Sequence, residues 1–200
     1  MPQTIDFYFD FASPYGYLAG VQIDAWAKDH DCNLVWRPIM LGAAFKAVGT
    51  GPLLSYPIKG AYATLDIART ARALGVACSI PQGFPHNTLA AARGFYWLAD
   101  QDDKTAQNFA RAFYNGYFGE GRDISLAEAT TGIAVGIGVD GESFLAAVQN
   151  PAIKERLKEE TAAALERGVF GSPFFFIGDE PFWGSDRLDQ MARWLETGGW

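Results

Sequence analysis

Strand-like sequence lies only at the two ends of this chain, and that distribution is the strongest constraint on its fold. Residues 4–11, TIDFYFDF, alternate between apolar and more polar side chains, with Asp10 on the polar face, which is typical of a strand. A helical pattern covers residues 14–30, and NLVWRP at residues 33–38 predicts a second strand. The opening of the chain therefore predicts a β-α-β unit with parallel strands.

The long middle of the chain, residues 43–167, carries helical and loop patterns and no strand signal. Glycine and proline mark two loops, at residues 42–60 and 78–87. One helix is predicted to begin at Ser125, an N-cap residue three positions before Glu128. We therefore expect an all-helical block between the two strand-bearing ends.

Strand character returns near the carboxyl end. PFFFI at residues 173–177 and PFW at residues 181–183 predict two short strands, and Ser185 is predicted to open a final helix. The sequence thus predicts an α/β fold in which a β-α-β opening and a β-β-α ending form one domain. We expect that domain to comprise residues 1–42 and 168–200, with residues 43–167 as an inserted helical domain.

Composition and charge exclude several classes of protein. The chain has 200 residues, 49% of them apolar, and a formal net charge of −7. This apolar fraction is enough for a substantial core, whereas an acidic chain without a basic stripe argues against nucleic-acid binding. No run of about 18 apolar residues is present, so we expect no membrane span. The start, MPQTIDFYFDF, lacks the basic segment of a secretory signal, and we expect a cytoplasmic protein.

Cysteine and histidine are scarce, and this limits the chemistry available. The cysteines are Cys32 and Cys78, and the histidines are His30 and His86. Neither cysteine belongs to a C-x-x-C motif, so we expect reduced thiols. So few potential ligands argue against zinc, and we expect no metal. The absence of a G-x-S-x-G motif argues against a serine hydrolase.

Ser13 lies at the junction of the first strand and the first helix, within FASPYG. Serine at an N-cap followed by proline is a favoured helix start in any protein, so a structural role is one interpretation. The same position offers a bound anion the N–H groups of Tyr15 and Gly16 and a partial positive charge. A hydroxyl there can accept a backbone N–H and donate its proton to a thiolate, which lowers the pKa of the thiol. The two interpretations are compatible.

A second serine–proline pair, Ser172–Pro173, directly precedes the first strand of the ending, where proline needs no N–H. Together, FDFASPYGYLA and ERGVFGSPFFFIGDEPFWGSDRL resemble the 2-hydroxychromene-2-carboxylate isomerases and kappa-class glutathione transferases, in the DsbA-like branch of the thioredoxin superfamily. The resemblance covers nearly the whole chain. It implies a thioredoxin-like domain with a large helical insertion and a cis Ser172–Pro173 bond.

The resemblance also implies a glutathione site. Ser13 takes the place of a redox cysteine and activates the glutathione thiolate, with Pro14 and Tyr15 beside it. The backbone of Ser172, before Pro173, pairs with the cysteinyl unit of glutathione like an added strand. The residues that would hold the γ-glutamyl end are Trp183, Gly184, Ser185 and Asp186. For the last two, ordinary helix capping is the alternative.

The second-substrate half of the site matches the family less well. The isomerases usually carry valine where this chain has Ser172. Lys46 is one residue out of register with their substrate lysine, the Asn-Arg pair that follows there has no clear match, and Phe84 replaces a pocket tyrosine. Apolar loop residues such as Tyr56 suit an aromatic ring, with Lys46 or Lys59 for its carboxylate. For either lysine alone, a solvated surface position is the alternative.

These features predict a glutathione-dependent isomerase of the 2-hydroxychromene-2-carboxylate type, with an aromatic carboxylate as substrate and glutathione as a cofactor that is returned. The alternative is a kappa-like transferase or peroxidase that consumes glutathione, and a non-catalytic glutathione-binding module is less favoured. Since Ser13 cannot form a mixed disulfide, a disulfide oxidoreductase is disfavoured. We expect no nucleic-acid or membrane partner, and we expect a homodimer from the resemblance alone.

Overall fold

A four-stranded mixed sheet forms the centre of the computed structural model, which describes residues 2–124 and 126–200. The first two strands are parallel, and the two strands of the ending are antiparallel to their neighbours. Phe7 of the first strand pairs with Phe175 of the third, so the two ends of the chain share one sheet, as predicted. The strands, in the spatial order β2-β1-β3-β4, are β1 (Thr4–Phe9), β2 (Asn33–Pro38), β3 (Phe174–Ile177) and β4 (Glu180–Trp183).

Helices make up most of the remaining chain, and the described part of residues 43–167 supplies no strand to the sheet. The α/β fold with an all-helical insertion is therefore confirmed. No described helix has both the length and the apolar character needed to cross a membrane. The helices are α1 (Pro14–Gly20), α2 (Ile23–Asp29), α3 (Leu41–Val48), α4 (Pro57–Leu74), α5 (Leu89–Ala99), α6 (Asp103–Tyr114), α7 (Ala127–Gly136), α8 (Gly141–Gln149), α9 (Pro151–Glu166) and α10 (Leu188–Thr197), with a 3₁₀ turn at Leu53–Ser55 and a π-helical stretch at Asn115–Gly119.

Both faces of β1 are buried. On one face, Phe9 contacts the rings of Trp36 and Phe95, so α5 lies against the sheet. On the other face, Tyr8 packs with Phe176 in a smaller cluster that includes Ala164 of α9. The alternation in TIDFYFDF therefore separates two packed faces, because α9 covers the side predicted to be polar.

The division into two domains stays a prediction. One buried cluster joins Phe7 of the sheet to Phe109 and Phe113 of α6. The ring of Phe11, just after β1, lies 4.8 Å from that of Phe113. The inserted helices therefore share a core with the sheet.

Several element boundaries differ from the predictions for local physical reasons. The helix predicted over residues 14–30 is two helices, because the chain turns at Gln22, whose side-chain amide donates to the Leu18 carbonyl (2.9 Å). Helix α4 begins at Pro57 within the predicted loop, since proline suits a first helical position. Ser125, the predicted cap of α7, lies outside the described residues.

Candidate active site

Ser13 caps the first turn of α1, as predicted. Its Oγ accepts a hydrogen bond from the Gly16 N–H (3.0 Å), and Pro14 occupies the first turn. The Ser13 N–H donates to the Asp10 carbonyl (2.9 Å), which closes the turn between β1 and α1. Only 4% of Ser13 is exposed. The oxygen of the hydroxyl is therefore held in position, and the residue is shielded from bulk water.

The loop that contains Ser172 and Pro173 lies directly against Ser13. The peptide bond between Ser172 and Pro173 is cis, as predicted. The Ser13 hydroxyl donates to the Ser172 carbonyl oxygen (2.9 Å), and the Asp10 N–H donates to Ser172 Oγ (3.0 Å). The structure therefore joins the two serine–proline turns that the sequence places at opposite ends of the chain.

Gly16 leaves the space that lets α1 approach this loop. A Cβ atom at Gly16 would lie 2.7 Å from Tyr114 Oη and 2.9 Å from Ser172 Oγ, which is closer than real Cβ contacts. Tyr114 is buried, and its hydroxyl donates to the Asp10 carbonyl (2.9 Å). Helix α6 therefore helps to hold the turn that carries Ser13.

Asp10 places a buried carboxyl group at the base of the same turn. The carboxylate accepts hydrogen bonds from the Ala12 N–H (2.7 Å), the Leu41 N–H (2.8 Å) and the Thr88 hydroxyl (3.2 Å). Burial raises the pKa of Asp10, and the hydrogen bonds offset this effect only in part. Asp10 thus connects the turn to the start of α3 and to the segment before α5.

Sequence reasoning gave Asp10 no role. Alternation along β1 showed which side of the strand Asp10 occupies, but not that other elements cover this side. Asp10 leaves the ladder, since its N–H serves Ser172 and its carbonyl serves Ser13, and β1 therefore ends at Phe9 and not at residue 11. An acidic residue directly after a strand and three positions before an N-cap was the available signal.

The predicted γ-glutamyl stretch lies beside the cis proline loop. The Gly184 N–H donates to the Pro173 carbonyl (3.1 Å), and Gly184 has a φ of +119°, a conformation that favours glycine. Trp183 is 55% exposed and packs edge-on against Phe170. The Asp186 carboxylate accepts a hydrogen bond from the exposed guanidinium of Arg187 (3.0 Å). Such an exposed ion pair contributes little, so Asp186 remains open to another cation.

The predicted start of the last helix at Ser185 is wrong. Helix α10 begins at Leu188, and Arg187 is its N-cap. The Arg187 N–H donates to the Gly184 carbonyl (3.3 Å), which closes a turn before the helix. Ser185 and Asp186 therefore lie in a turn, and neither side chain caps α10, because the glycine conformation redirects the chain there.

Tyr15 links α1 to the inserted helices. Its hydroxyl donates to the Asp66 carboxylate of α4 (2.9 Å), which also accepts a hydrogen bond from Arg69 (3.0 Å). Burial and the Asp66 carboxylate raise the pKa of Tyr15, and the Asp186 charge adds to the effect. Asp66 therefore contacts this phenol, and the charge of Asp186 also acts on it. Sequence analysis missed Asp66, because the contact joins residues far apart in the sequence.

The predicted second-substrate residues fall in different surroundings. The Lys59 ammonium lies 5.5 Å from the ring centre of Tyr56, and both side chains are exposed at the start of α4. The Tyr56 hydroxyl accepts a hydrogen bond from the Gly51 N–H (3.0 Å). Lys46 is exposed in the last turn of α3. The structure therefore pairs Tyr56 with Lys59.

Phe84 belongs to a different surface. Its ring is half-buried and contacts the rings of Tyr117 and Phe118, at 6.4 and 6.2 Å between centroids. The Phe84–Pro85 bond is cis, which the sequence did not indicate. Phe118 in turn contacts Tyr17 of α1 (5.6 Å), so the 78–87 loop is joined to the helix that carries Ser13.

The two cysteines and the potential metal ligands offer no further reactive group in the described residues. Cys32 and Cys78 are both free thiols. Burial raises the pKa of Cys78 to about 11 and also raises the pKa of Cys32, so neither thiol is activated as a nucleophile. Across residues 2–124 and 126–200, no three His, Cys, Asp or Glu side chains are grouped to hold a metal ion.

Comparison with known proteins identifies the family to which this fold belongs. The family model described as a DSBA-like thioredoxin domain matches residues 4–196. The chain belongs to the DsbA-like thioredoxin family. Within this family it is 34% identical to the 2-hydroxychromene-2-carboxylate isomerase of Sphingobium xenophagum, over 98% of this chain and 99% of that one. It is also 24% identical to human glutathione S-transferase kappa 1, over 98% and 92% of the two chains.

The structural comparison agrees. A solved 2-hydroxychromene-2-carboxylate isomerase superimposes with a TM-score of 0.87 at 32% identity, covering 96% of this chain and 94% of that chain. A probable DsbA oxidoreductase from Streptomyces coelicolor superimposes with a TM-score of 0.77 at 18% identity, which supports the fold alone. Within the DsbA-like family, this chain therefore belongs to the branch that includes the isomerases and the kappa transferases.

Proposed function

We propose that this chain is a glutathione-dependent isomerase of the 2-hydroxychromene-2-carboxylate type. The observation that carries the proposal is the Ser13 hydroxyl, held at the N-terminus of α1 and 2.9 Å from the carbonyl of the residue before a cis proline. A helix N-terminus and a positioned hydroxyl are suited to a thiolate. Full-length similarity to proteins named as isomerases supports the same assignment.

In the proposed reaction, the thiol loses its proton to water and the thiolate adds to a conjugated carbon of the substrate. A carbon–sulfur bond forms, the electron pair of the carbon–carbon double bond moves into the conjugated carbonyl as an enolate, and the bond that becomes single allows rotation. Elimination then breaks the carbon–sulfur bond, restores a double bond and returns glutathione. Ser13 donates a hydrogen bond to the sulfur and takes no covalent part.

Glutathione is proposed to lie along the cis proline loop. Ser172 pairs through its backbone with the cysteinyl unit, Asp186 accepts the γ-glutamyl ammonium, and the Trp183–Asp186 turn surrounds that end. The proposal for Asp186 fits its exposed carboxylate, which is paired at the surface with Arg187. Of the two candidate lysines, we favour Lys59 for the substrate carboxylate, because Tyr56 beside it offers an aromatic surface.

The test of the reaction is stoichiometric. The protein is incubated with glutathione and a 2-hydroxychromene-2-carboxylate, and both chromene and thiol are followed. We expect the chromene to be converted while the concentration of glutathione stays constant. Conversion of a neutral electrophile such as chlorodinitrobenzene, with loss of glutathione and no action on the chromene, would assign the chain to the transferases instead.

Ser13→Ala tests the role of the hydroxyl. We expect turnover to fall by about 10- to 1,000-fold, as for loss of a hydrogen bond that strengthens in the transition state. Asp140→Ala is the matched control, because Asp140 also caps a helix, accepting from the Ser143 N–H (2.8 Å), but belongs to α8. The control is expected to lose stability and keep its activity. Equal activity of Ser13→Ala and wild type contradicts the proposal.

A further inference from the structure

The single hydroxyl proton of Ser13 has a partner within the protein. Ser13 Oγ lies 2.9 Å from the Ser172 carbonyl oxygen, and a carbonyl has no proton, so the hydroxyl is the donor. A lone pair of the same Oγ accepts the Gly16 N–H. Activation of a thiolate needs the same proton, because a hydroxyl can donate only one hydrogen bond. Donation to the carbonyl and donation to a sulfur are therefore mutually exclusive.

We propose that the Ser13 hydroxyl donates its hydrogen bond to the Ser172 carbonyl until glutathione binds. The cysteinyl N–H of glutathione then replaces the hydroxyl as the donor to that carbonyl, and the hydroxyl turns to donate to the sulfur. The inference rests on the proposed function, since it requires glutathione to pair with the Ser172 backbone. The thiol S–H bond breaks with its electron pair left on sulfur, and the proton passes to water. Ser13 keeps its own proton throughout and changes only its acceptor.

The surroundings fix the carbonyl and leave the proton free to turn. Ser172 is anchored through its Oγ by the Asp10 N–H (3.0 Å), while the Asp10 carbonyl accepts the Ser13 N–H (2.9 Å). These contacts hold both serines in place. The proton can change acceptor by rotation about the Cβ–Oγ bond of Ser13, with Oγ still accepting the Gly16 N–H. No movement of the backbone is required.

The other half of an added-strand pair is also available at Ser172. In residues 2–124 and 126–200, no acceptor is paired with the Ser172 N–H. A cysteinyl residue would then accept from this N–H through its carbonyl and donate its own N–H to the Ser172 carbonyl. The chemical class selected is a thiol with a peptide N–H on the thiol-bearing residue, and a simple alkyl thiol lacks the group that displaces the hydroxyl.

The first measurement compares glutathione with an analogue methylated at the cysteinyl nitrogen. The pKa of each bound thiol is obtained at saturation from the ultraviolet absorbance of the thiolate. We expect the pKa of bound glutathione to lie about 1 to 2 units below that of the bound analogue, the effect of one charge-assisted hydrogen bond. Equal lowering of both pKa values overturns the inference. Failure of glutathione itself to show a lowered pKa contradicts the proposed function instead.

The second measurement needs no thiol and decides the matter if methylation weakens binding. Calorimetry gives the dissociation constant of S-methylglutathione for wild type, Ser13→Ala and the Asp140→Ala control. If the hydroxyl competes for the Ser172 carbonyl, removing it should tighten binding by about 2- to 10-fold. The control should bind as wild type does. Unchanged or weaker binding by Ser13→Ala overturns the inference. If the alanine variant unfolds, Ser13→Gly is measured in its place, because glycine is a tolerated N-cap residue.

Discussion

Replacing Asp10 with asparagine tests how the turn that carries Ser13 is held. Within residues 2–124 and 126–200, Oδ1 of Asp10 accepts from Ala12 and Thr88, whereas Oδ2 accepts only the Leu41 N–H. Asparagine has one oxygen, and the orientation that preserves most contacts turns its amide NH₂ toward the Leu41 N–H. Two donors then face each other in a buried position. A protonated Asp10 avoids this conflict, because its hydroxyl oxygen still accepts.

The size of the effect follows from the lost contact. A buried donor without an acceptor costs about 1 to 3 kcal/mol. For a chain of this length, each kcal/mol lowers the melting temperature by about 2 to 4 °C, so Asp10→Asn should lose about 2 to 12 °C. Thr88→Val is the matched control, since it removes one hydrogen bond to the same carboxylate and should cost about 0.5 to 1.5 kcal/mol.

The effect also has a definite pH dependence. Burial raises the pKa of Asp10 in the folded state above the unfolded value near ~3.9. Its protonated form therefore stabilises the fold, fully below the unfolded pKa, and this contribution is lost as the pH rises through the folded pKa. Asparagine does not titrate. The difference in unfolding free energy between wild type and variant should therefore be largest at and below about pH 4, and it should narrow as the pH rises.

The assay is urea denaturation of wild type, Asp10→Asn and Thr88→Val, followed by circular dichroism at several pH values. If the m-value is the same for all three proteins, the differences between their unfolding curves report differences in stability. A gap that widens with rising pH would refute the argument about burial. A variant as stable as wild type at every pH would refute the argument about the Leu41 N–H.

Two further substitutions test the contacts around α1. Gly16→Ala places a methyl group within 2.7 Å of Tyr114 Oη and 2.9 Å of Ser172 Oγ, so overpacking should cost about 1 to 3 kcal/mol, measured by thermal melting. No loss of stability would mean that α1 can move away from the loop. Tyr15→Phe removes the hydrogen bond to Asp66 and should cost about 0.5 to 1.5 kcal/mol, with faster amide exchange in α1 and α4. Unchanged exchange would show that this bond does not join the helices.

Local patterns were sufficient for much of the fold. The strand NLVWRP was predicted with the bounds that the structure has, from Asn33 to Pro38. The break at Gln22 was not predicted, because it depends on a side-chain amide that competes for a helix carbonyl. The true start of α10 at Leu188 was also missed, since the positive φ of Gly184 cannot be derived from helical periodicity.

The candidate site also contains residues that the sequence predicted and residues that it missed. Ser13 and the Ser172–Pro173 turn carry recognisable motifs, and their contact followed from placing both ends of the chain in one sheet. Asp10 and Asp66 were missed, because Thr88, one of the partners of Asp10, and Tyr15, the partner of Asp66, lie far away in the sequence. Burial of a polar side chain on a strand depends on what covers that face, and a single sequence does not contain this information in its local pattern.

The two halves of the proposed site differ in how far side chains determine them. On the glutathione side, the groups proposed to bind include the main-chain N–H and carbonyl of Ser172 as well as the side chains of Ser13 and Asp186. The side chain of Ser172 leaves those main-chain atoms in place and accepts the hydrogen bond from the Asp10 N–H. On the substrate side, Tyr56 and Lys59 are exposed side chains, so each substitution alters the surface directly. If the proposed function holds, substitutions at Tyr56 and Lys59 should change which substrate is accepted, and substitutions at Ser13 should change the reactivity of the bound thiol.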